Sequence, residues 1–352
     1  MNEVRQLIVE TTDRIMTDLC SKDLVDQSEV GEWPRQLWQT LEETGLTLAG
    51  IREDVGGSGG DLGDGMAVVR LAARHTAPLP LAETLMAALL LEAANASIPS
   101  GPLTIAGAQS EFSLSSTDNG YLLSGVASGV AWAGECMSIL LLAGDGKDQR
   151  LVAIRPDQCA LASVSNIAGE PRYRIQCEAV ELGEDQMFVL PGQWNSDRLF
   201  ELGALTRAVM MAGALDSILD LCVQYVQDRQ QFGRPLAKFQ AIQQQLAALA
   251  GEVAAASKAA DVAVEAYLSG SAAMEIAAAK ARIGEAAGIS AEIAHQVHGA
   301  MGFTHEHNLH HRTRRLWAWR DEYGTESFWQ DKLGRHLCSA GADELWSKLI
   351  KA

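Results

Sequence analysis

Three long alanine-rich stretches in the second half of this chain limit what it can fold into more than any other feature. Leu199 to Val226, Phe239 to Leu268 and Ala272 to Val297 carry helical patterning with few interruptions. Alanine has the highest helix propensity, and its small side chain lets helix axes approach closely. These stretches therefore predict a tight helix bundle, whose small-residue faces can also pack against another subunit. The break Leu268-Ser269-Gly270-Ser271 separates the second helix from the third.

Residues 1–98 also read as helical, with Leu7, Ile8, Ile15, Leu19, Trp33, Leu37, Trp38 and Leu41 at helix-like intervals. Helical patterning resumes from Met66 to Ala94, broken around Pro78-Leu79-Pro80. Between them lies the glycine-rich run Gly50 to Gly65. It lacks both G-x-G-x-x-G and G-x-x-x-x-G-K-[ST], so it reads as a flexible loop and not a phosphate cradle. From about residue 99 to 192 the texture changes to short apolar runs: Leu103–Ile105, Tyr121–Leu123, Ser138–Ala143, Leu151–Ile154, Tyr173–Ile175 and Met187–Leu190. Strands this short and closely spaced predict a small antiparallel barrel or sandwich. The expected fold class is α+β multidomain: a shortened helical amino-terminal domain (1–98), a middle β-barrel or sandwich (99–192) and a carboxy-terminal helix bundle (193–352).

The formal net charge of -17 argues against nucleic acid as a partner, because such binding needs an excess of lysine and arginine. The six cysteines contain no C-x-x-C pair and suggest neither a zinc ribbon nor a disulfide framework. The amino terminus has no apolar signal core, and no apolar run approaches the roughly 20 residues that span a bilayer. No membrane insertion and a cytoplasmic location are the expectations. Six of the eight histidines lie between His295 and His311. No H-E-x-x-H and no second ligand cluster accompanies them, so no metal site is assigned.

Two runs carry chemistry. The first, Asp228-Arg229-Gln230-Gln231-Phe232-Gly233-Arg234-Pro235-Leu236-Ala237-Lys238-Phe239-Gln240, reads by residue type as a tight helix-to-helix turn. Gly233 accepts positive φ and Pro235 suits a helix's first turn. The second, His295-Gln296-Val297-His298-Gly299-Ala300-Met301-Gly302-Phe303, reads as a glycine-terminated helix. Beyond it, His311-Arg312-Thr313-Arg314-Arg315-Leu316-Trp317-Ala318-Trp319-Arg320 is the one basic, aromatic patch. It is either a helix face with core tryptophans or an attractant for ligand phosphates.

The first run resembles the Arg-x-x-Phe-Gly-x-Pro-(x)3-Phe-Gln signature of acyl-CoA dehydrogenase flavoproteins. The second is similar to that family's Gln-x-x-Gly-(Gly/Ala)-x-Gly-(Phe/Tyr) motif, and the two stand at the family's spacing. The Gly50–Gly65 run resembles the segment that helps build the acyl pocket in those proteins. The helix, sheet, bundle order matches as well, so the resemblance covers nearly the whole chain.

What the resemblance implies is an FAD-dependent enzyme that dehydrogenates an acyl-CoA thioester between its α and β carbons. A carboxylate takes the α proton and the flavin takes the β hydride. The flavin is bound mainly by the neighbouring subunit, and Arg229, Gln231, Phe232 and Gln240 together with Gln296, Gly299, Ala300 and Gly302 form one half of this intersubunit site, with Thr325 assigned to the same site. It further implies a homo- or hetero-tetramer with a second acyl-CoA dehydrogenase-like subunit, and an electron-transferring flavoprotein as acceptor.

The sequence departs from the family in two places. Where members carry Thr-Glu-Pro-x-(Ala/Gly)-Gly-Ser-Asp, this chain reads Ile105-Ala106-Gly107-Ala108-Gln109-Ser110-Glu111. Where many read Tyr-Glu-Gly-Thr with the glutamate as base, it reads Glu322-Tyr323-Gly324-Thr325. Three readings stay open: Glu322 as the base in shifted geometry, a base from another helix, or a non-catalytic subunit that completes a partner's flavin site. A flavin oxidase or monooxygenase is the remaining alternative.

Overall fold

The computed structural model describes residues 3–107, 110–117, 120–144, 149–270 and 272–341. It divides into two compact units, Met1–Val69 with Ala77–Gly203, and Arg70–Thr76 with Ala204–Ala352. The expected order of helices, sheet and helix bundle is what the chain forms.

In the first unit, α1 (Glu3–Leu19), α2 (Lys22–Glu29) and α3 (Arg35–Glu43) precede α4 (Leu62–Arg74) and α5 (Leu81–Ala93). Ser21 caps α2 by accepting a bond from the Leu24 amide at 3.2 Å. α5 is buried along most of its length, which is why its sequence is apolar all round. The expected flexible loop between α3 and α4 is an ordered turn. Gly50 and Gly59 exchange backbone bonds with Gly59 and Ile51 at 2.9 and 2.7 Å. A Cβ on Gly57 would stand 2.2 Å from the Ile51 oxygen, so glycine is required there. Arg5 closes the turn from α1 by pairing with Asp61 and Asp64 at 2.5 and 2.7 Å.

The β region is built from β1 (Leu103–Ile105), β2 (Glu111–Thr117), β3 (Gly120–Ala131), β4 (Ser138–Ala143), β5 (Arg150–Ile154), β6 (Ala160–Ser165), β7 (Pro171–Leu182) and β8 (Met187–Phe188). They form two sheets, β1-β4-β5-β8 and β2-β3-β7-β6. Leu123, Val130, Ile139, Leu141, Val152 and Ile175 are among the residues of their shared core. Pairing is antiparallel except β1 with β4, which run parallel because the β2–β3 hairpin is inserted between them in the chain. The expected strand Tyr121–Leu123 is part of one much longer strand, β3 (Gly120–Ala131). β3 stays paired with β7 through two register shifts and ends at Trp132 with φ 58°.

The second unit holds most of α6 (Ser196–Asp228), then α7 (Gln240–Ser269), α8 (Ala273–His298), α9 (Leu309–Asp321) and α10 (Glu326–Ala340). α7 and α8 are antiparallel neighbours joined at Gly270, whose φ of 89° ends α7. Ser271 of the expected break lies outside the described residues. Ala256, Ala260 and Ala263 on α7 and Ala277, Ala286 and Ala287 on α8 are fully buried, as close packing of small residues demands. Arg70 ties α6 to α7 through Asp216 at 2.8 Å, Ser257 at 2.7 Å and Asp261 at 3.0 Å. By length and composition α6 could cross a bilayer, which the absence of a long apolar run did not suggest. Over half of that stretch is buried within protein, and its Asp216 is paired, as befits a core helix.

Candidate functional site

The run from Arg229 to Gln240 is not a simple turn between helices. β9 (Gln230–Gln231) and β10 (Arg234–Pro235) pair antiparallel and form a small hairpin. Phe232 and Gly233 at its tip have φ 51° and 76°. Positive φ at both central residues is the type I′ geometry that suits a two-residue hairpin. The Leu236 amide closes the base by donating to the Arg229 oxygen at 2.8 Å. Arg234 lays its guanidinium 4.1 Å from the Phe239 ring centroid, and the Phe232 ring stands 6.3 Å from that of Phe239.

Phe232 is 93% exposed. Leaving a phenylalanine in water forgoes roughly 1.5–3 kcal/mol of burial, and its left-handed backbone adds a penalty of about 1 kcal/mol. Arg229, Gln231 and Gln240 are exposed beside this ring. Among the described residues, no ion pair occupies Arg229.

The same geometry brings the second motif to the hairpin's root. Tyr225, one helical turn before Arg229, stacks on His298 with centroids 4.3 Å apart and donates its hydroxyl to the His298 oxygen at 3.2 Å. α8 ends there at Gly299 (φ 58°, ψ −141°), with nothing within 4 Å of where a Cβ would project. Gln296, Gly299 and Ala300 are exposed. Gly302 is buried for packing, since its Cβ would meet His298 at 2.9 Å. Phe303, 72% exposed, stacks on His295 at 4.4 Å and adds a second aromatic surface.

The histidines of this corner are packed against their neighbours. The His295 and His298 rings are buried, and burial pulls both below the usual imidazole range. His295 Nε2 lies 3.0 Å from the Thr313 hydroxyl, and His298 Nδ1 lies 2.8 Å from the Ala294 oxygen. His307 accepts from the Leu309 amide at 3.1 Å. Burial, with His298, Arg312 and His310 nearby, pushes it down to about 4.

The basic patch on α9 is largely buried in the bundle, with Arg314 and Arg320 half-buried. Arg312 is buried and donates to the Ser217 hydroxyl at 2.6 Å and the Asn308 oxygen at 3.0 Å. Arg315 and Trp319 are buried, and Arg320 pairs with Glu326.

Glu322, the candidate base, lies in the turn between α9 and α10. Its carboxylate is engaged by Arg207 on α6, with Nε 2.5 Å from Oε2 and side-chain exposures of 3% and 24%. Arg207 also sits 5.6 Å from the Tyr323 ring centroid. Tyr323 takes φ 55°, which a non-glycine residue holds only under restraint, and the restraints are visible. Trp329 donates its indole N–H to the Tyr323 oxygen at 2.9 Å. Lys280, 1% exposed on α8, donates to the Arg320 oxygen at 2.7 Å and the Gly324 oxygen at 2.8 Å. A cation on the last carbonyls of α9 also meets the negative end of that helix's dipole. Burial nevertheless brings Lys280 down to about 8, with Glu326, Glu322 and Asp321 opposing the shift. Thr325 begins α10 and lies 3.0 Å from the Ser327 hydroxyl.

The structure thus gathers Arg229, Gln231, Phe232, Gln296, Gly299 and Ala300 around the joint between α6 and the end of α8. Glu322 and Thr325 are placed near Lys280, at the other end of α8. Arg207 and Lys280 escaped sequence reading because their partners lie 115 and 40–44 residues away. Of the Ile105–Glu111 departure, Ala108 and Gln109 lie outside the described residues.

A helical first region, a β middle and a carboxy-terminal helix bundle recur in known proteins. Among solved structures, the ChsE4–ChsE5 complex from Mycobacterium tuberculosis superposes with TM-score 0.86 at 20% identity, covering 97% of this chain and 99% of that one. Butyryl-CoA dehydrogenase from Megasphaera elsdenii gives 0.83 at 17%, covering 96% and 99%. Residues 2–98 match the acyl-CoA dehydrogenase N-terminal domain and residues 195–336 the acyl-CoA dehydrogenase C-terminal domain. The acyl-CoA dehydrogenase IpdE2 of Mycolicibacterium smegmatis is 27% identical over 317 residues, 88% of this chain and 91% of that protein. The chain belongs to the acyl-CoA dehydrogenase family.

Proposed function

We propose that this chain is a subunit of an FAD-dependent acyl-CoA dehydrogenase and that the 229–240 hairpin clamps the flavin. The exposed Phe232 at a restrained hairpin tip carries the proposal. The residues fit the group. An uncommitted arginine suits a diphosphate, open backbone at Gly299 permits the close approach a phosphate needs, and Phe232 offers a ring to an aromatic face. Arg229, Gln231, Phe232 and Gln240 together with Gln296, Gly299, Ala300 and Gly302 form one half of the flavin site, which the neighbouring subunit completes. Bound FAD supplies the hydride acceptor.

The chain's own part in the chemistry is to place a carboxylate against the α proton of the thioester. Glu322 is the candidate, and it can accept that proton at Oε2 only after Arg207 lets go. A base held in an ion pair is a weaker base, because the pair favours the charged form. The acyl-CoA is the substrate class, and an electron-transferring flavoprotein the acceptor. The location is the cytoplasm.

The Arg207–Glu322 pair favours a second reading. In it the chain completes the flavin site of a second acyl-CoA dehydrogenase-like subunit in a tetramer and abstracts no proton itself. A chain of the solved ChsE4–ChsE5 complex carries this fold, which supports a two-chain assembly as a possibility for this one.

Purified protein, alone and co-expressed with a neighbouring family member, should show a flavin spectrum in at least one preparation. Absence of flavin from both would falsify the proposal. Thioester-dependent bleaching by the chain alone supports the first reading, and bleaching only in the mixed assembly supports the second.

A further inference from the structure

Cys159 and Cys177 are both thiols in this structure. They face one another across neighbouring strands of the β sandwich. β6 pairs with β7 through Ala160 with Gln176 and Leu161 with Ile175. Cys159, just before Ala160, has extended backbone with φ −134° and ψ 158°. One more step of the same antiparallel register sets Cys159 opposite Cys177.

Side-chain direction agrees with the register. Successive residues of a strand alternate faces, and Leu161, Ile175 and Cys177 all belong to or pack on the sandwich core. Cys159 packs on that same core, so both sulfurs lie on one face of the sheet.

Directly opposed residues of an antiparallel pair have Cα atoms about 4.5 or about 5.5 Å apart. A disulfide bridges Cα separations of about 4.4–6.8 Å. Either kind of pair therefore falls within reach without moving the backbone. Cys159 donates its thiol to the Pro156 oxygen at 3.6 Å, and the two cysteines perturb each other's titration. A hydrogen bond from Cys177 draws Cys159 below the usual thiol range, and the same bond, aided by burial, pushes Cys177 up. Cys159 is half-buried on the edge strand, while Cys177 lies inside. That arrangement makes Cys159 the attacking sulfur and Cys177 the resolving one.

We propose that Cys159 and Cys177 form an intramolecular cross-strand disulfide when the protein meets a hydroperoxide. The Cys159 thiolate attacks one peroxide oxygen, the O–O bond breaks, and a sulfenic acid forms with release of water. The Cys177 sulfur then attacks the Cys159 sulfur, the S–O bond breaks, and a second water leaves with the thiol proton. Two thiols lose two electrons in all, and one hydrogen peroxide becomes two waters. The product fastens edge strand β6 to β7. Cys136 and Cys222 take no part, because burial raises both thiols and shields them.

The full-length protein, reduced and freed of reductant, is treated with hydrogen peroxide, blocked with an alkylating agent and digested with trypsin without reduction. Cleavage after Arg172 and Arg174 places Cys159 and Cys177 on different peptides. The expected result is a linked pair of these peptides, lighter by two hydrogens than their sum and separated by dithiothreitol. Cys159→Ser and Cys177→Ser should each abolish it. The proposal is overturned if Cys159 is carried to sulfinic acid while Cys177 stays alkylatable. It is equally overturned if both remain thiols when the exposed Cys338 has been oxidised. The wild-type digest alone decides between these results, so the outcome does not depend on whether either variant folds.

Discussion

The guanidinium Nε of Arg207 lies 2.5 Å from Oε2 of Glu322, so the carboxylate nearest the family's base position is already neutralised by a buried cation. Arg207 reaches it from α6, in the middle of a helix whose other buried positions are mostly apolar. The pair joins α6 to the α9–α10 turn, and that turn holds Tyr323 in a left-handed conformation.

Glu322→Gln should therefore act on stability as well as chemistry. Losing one partner of a partly buried pair is expected to lower unfolding free energy by about 1–3 kcal/mol, read from a denaturant midpoint. In flavin-loaded protein the same variant should lose thioester-dependent bleaching if Glu322 takes the α proton. Unchanged bleaching would remove Glu322 from the role of base.

Lys280 gives a pH signature of known sign. Its folded value is about 8 against 10.5 for an unburied lysine, so the unfolded chain binds more protons between those limits. Stability linked to Lys280 is then fully present above about 10.5 and lost as pH falls to about 8. The difference is up to about 3 kcal/mol. Lys280→Met should remove that slope, seen as flatter melting temperatures across pH 8 to 10, and should speed amide exchange in the 321–326 turn at neutral pH. A variant that keeps the wild-type slope would contradict this assignment.

His307 works at the acid side. With a folded value of about 4 against 6.5, its contribution is complete above about 6.5 and disappears as pH drops through 4. Because the ring is only part-buried, the contribution is discounted to about 1–2 kcal/mol. His307→Asn keeps an acceptor for the Leu309 amide and should make stability less sensitive between pH 6.5 and 4 in urea titrations.

Phe232→Ala removes an exposed ring and should leave the unfolding midpoint within about 0.5 kcal/mol of wild type. Flavin retention in the assembly should fall roughly 2- to 10-fold, the worth of one aromatic contact. Equal retention by the variant would dismiss Phe232 as a cofactor contact.

The three alanine-rich helices were legible almost to the residue, because propensity and periodicity agree along each of them. β2 and β6 were not, since their serine-rich runs, such as Ser113, Ser115, Ser116, Ser163 and Ser165, lie on exposed sheet edges and bury little. The hairpin at 230–235 hid behind Phe232, because a two-residue type I′ turn usually announces itself with Asn or Asp before the glycine. The motif around Gln296 to Gly302 was visible as a pattern. The ties that fix Glu322 join residues far apart in the chain, and only folding brings Arg207, Lys280 and Trp329 to one turn. The cysteine pair was invisible for the same reason, since strand register alone sets Cys159 against Cys177.

α8 carries Lys280 near one end and Gln296 near the other, sixteen residues along one helix. At 1.5 Å and 100° per residue, that helix is a ruler of about 24 Å with a fixed phase. One residue inserted between them would lengthen it by only about 1.5 Å but turn one end by about 100° relative to the other. Evolution of this segment is thereby confined to substitutions: its composition can drift while its length cannot.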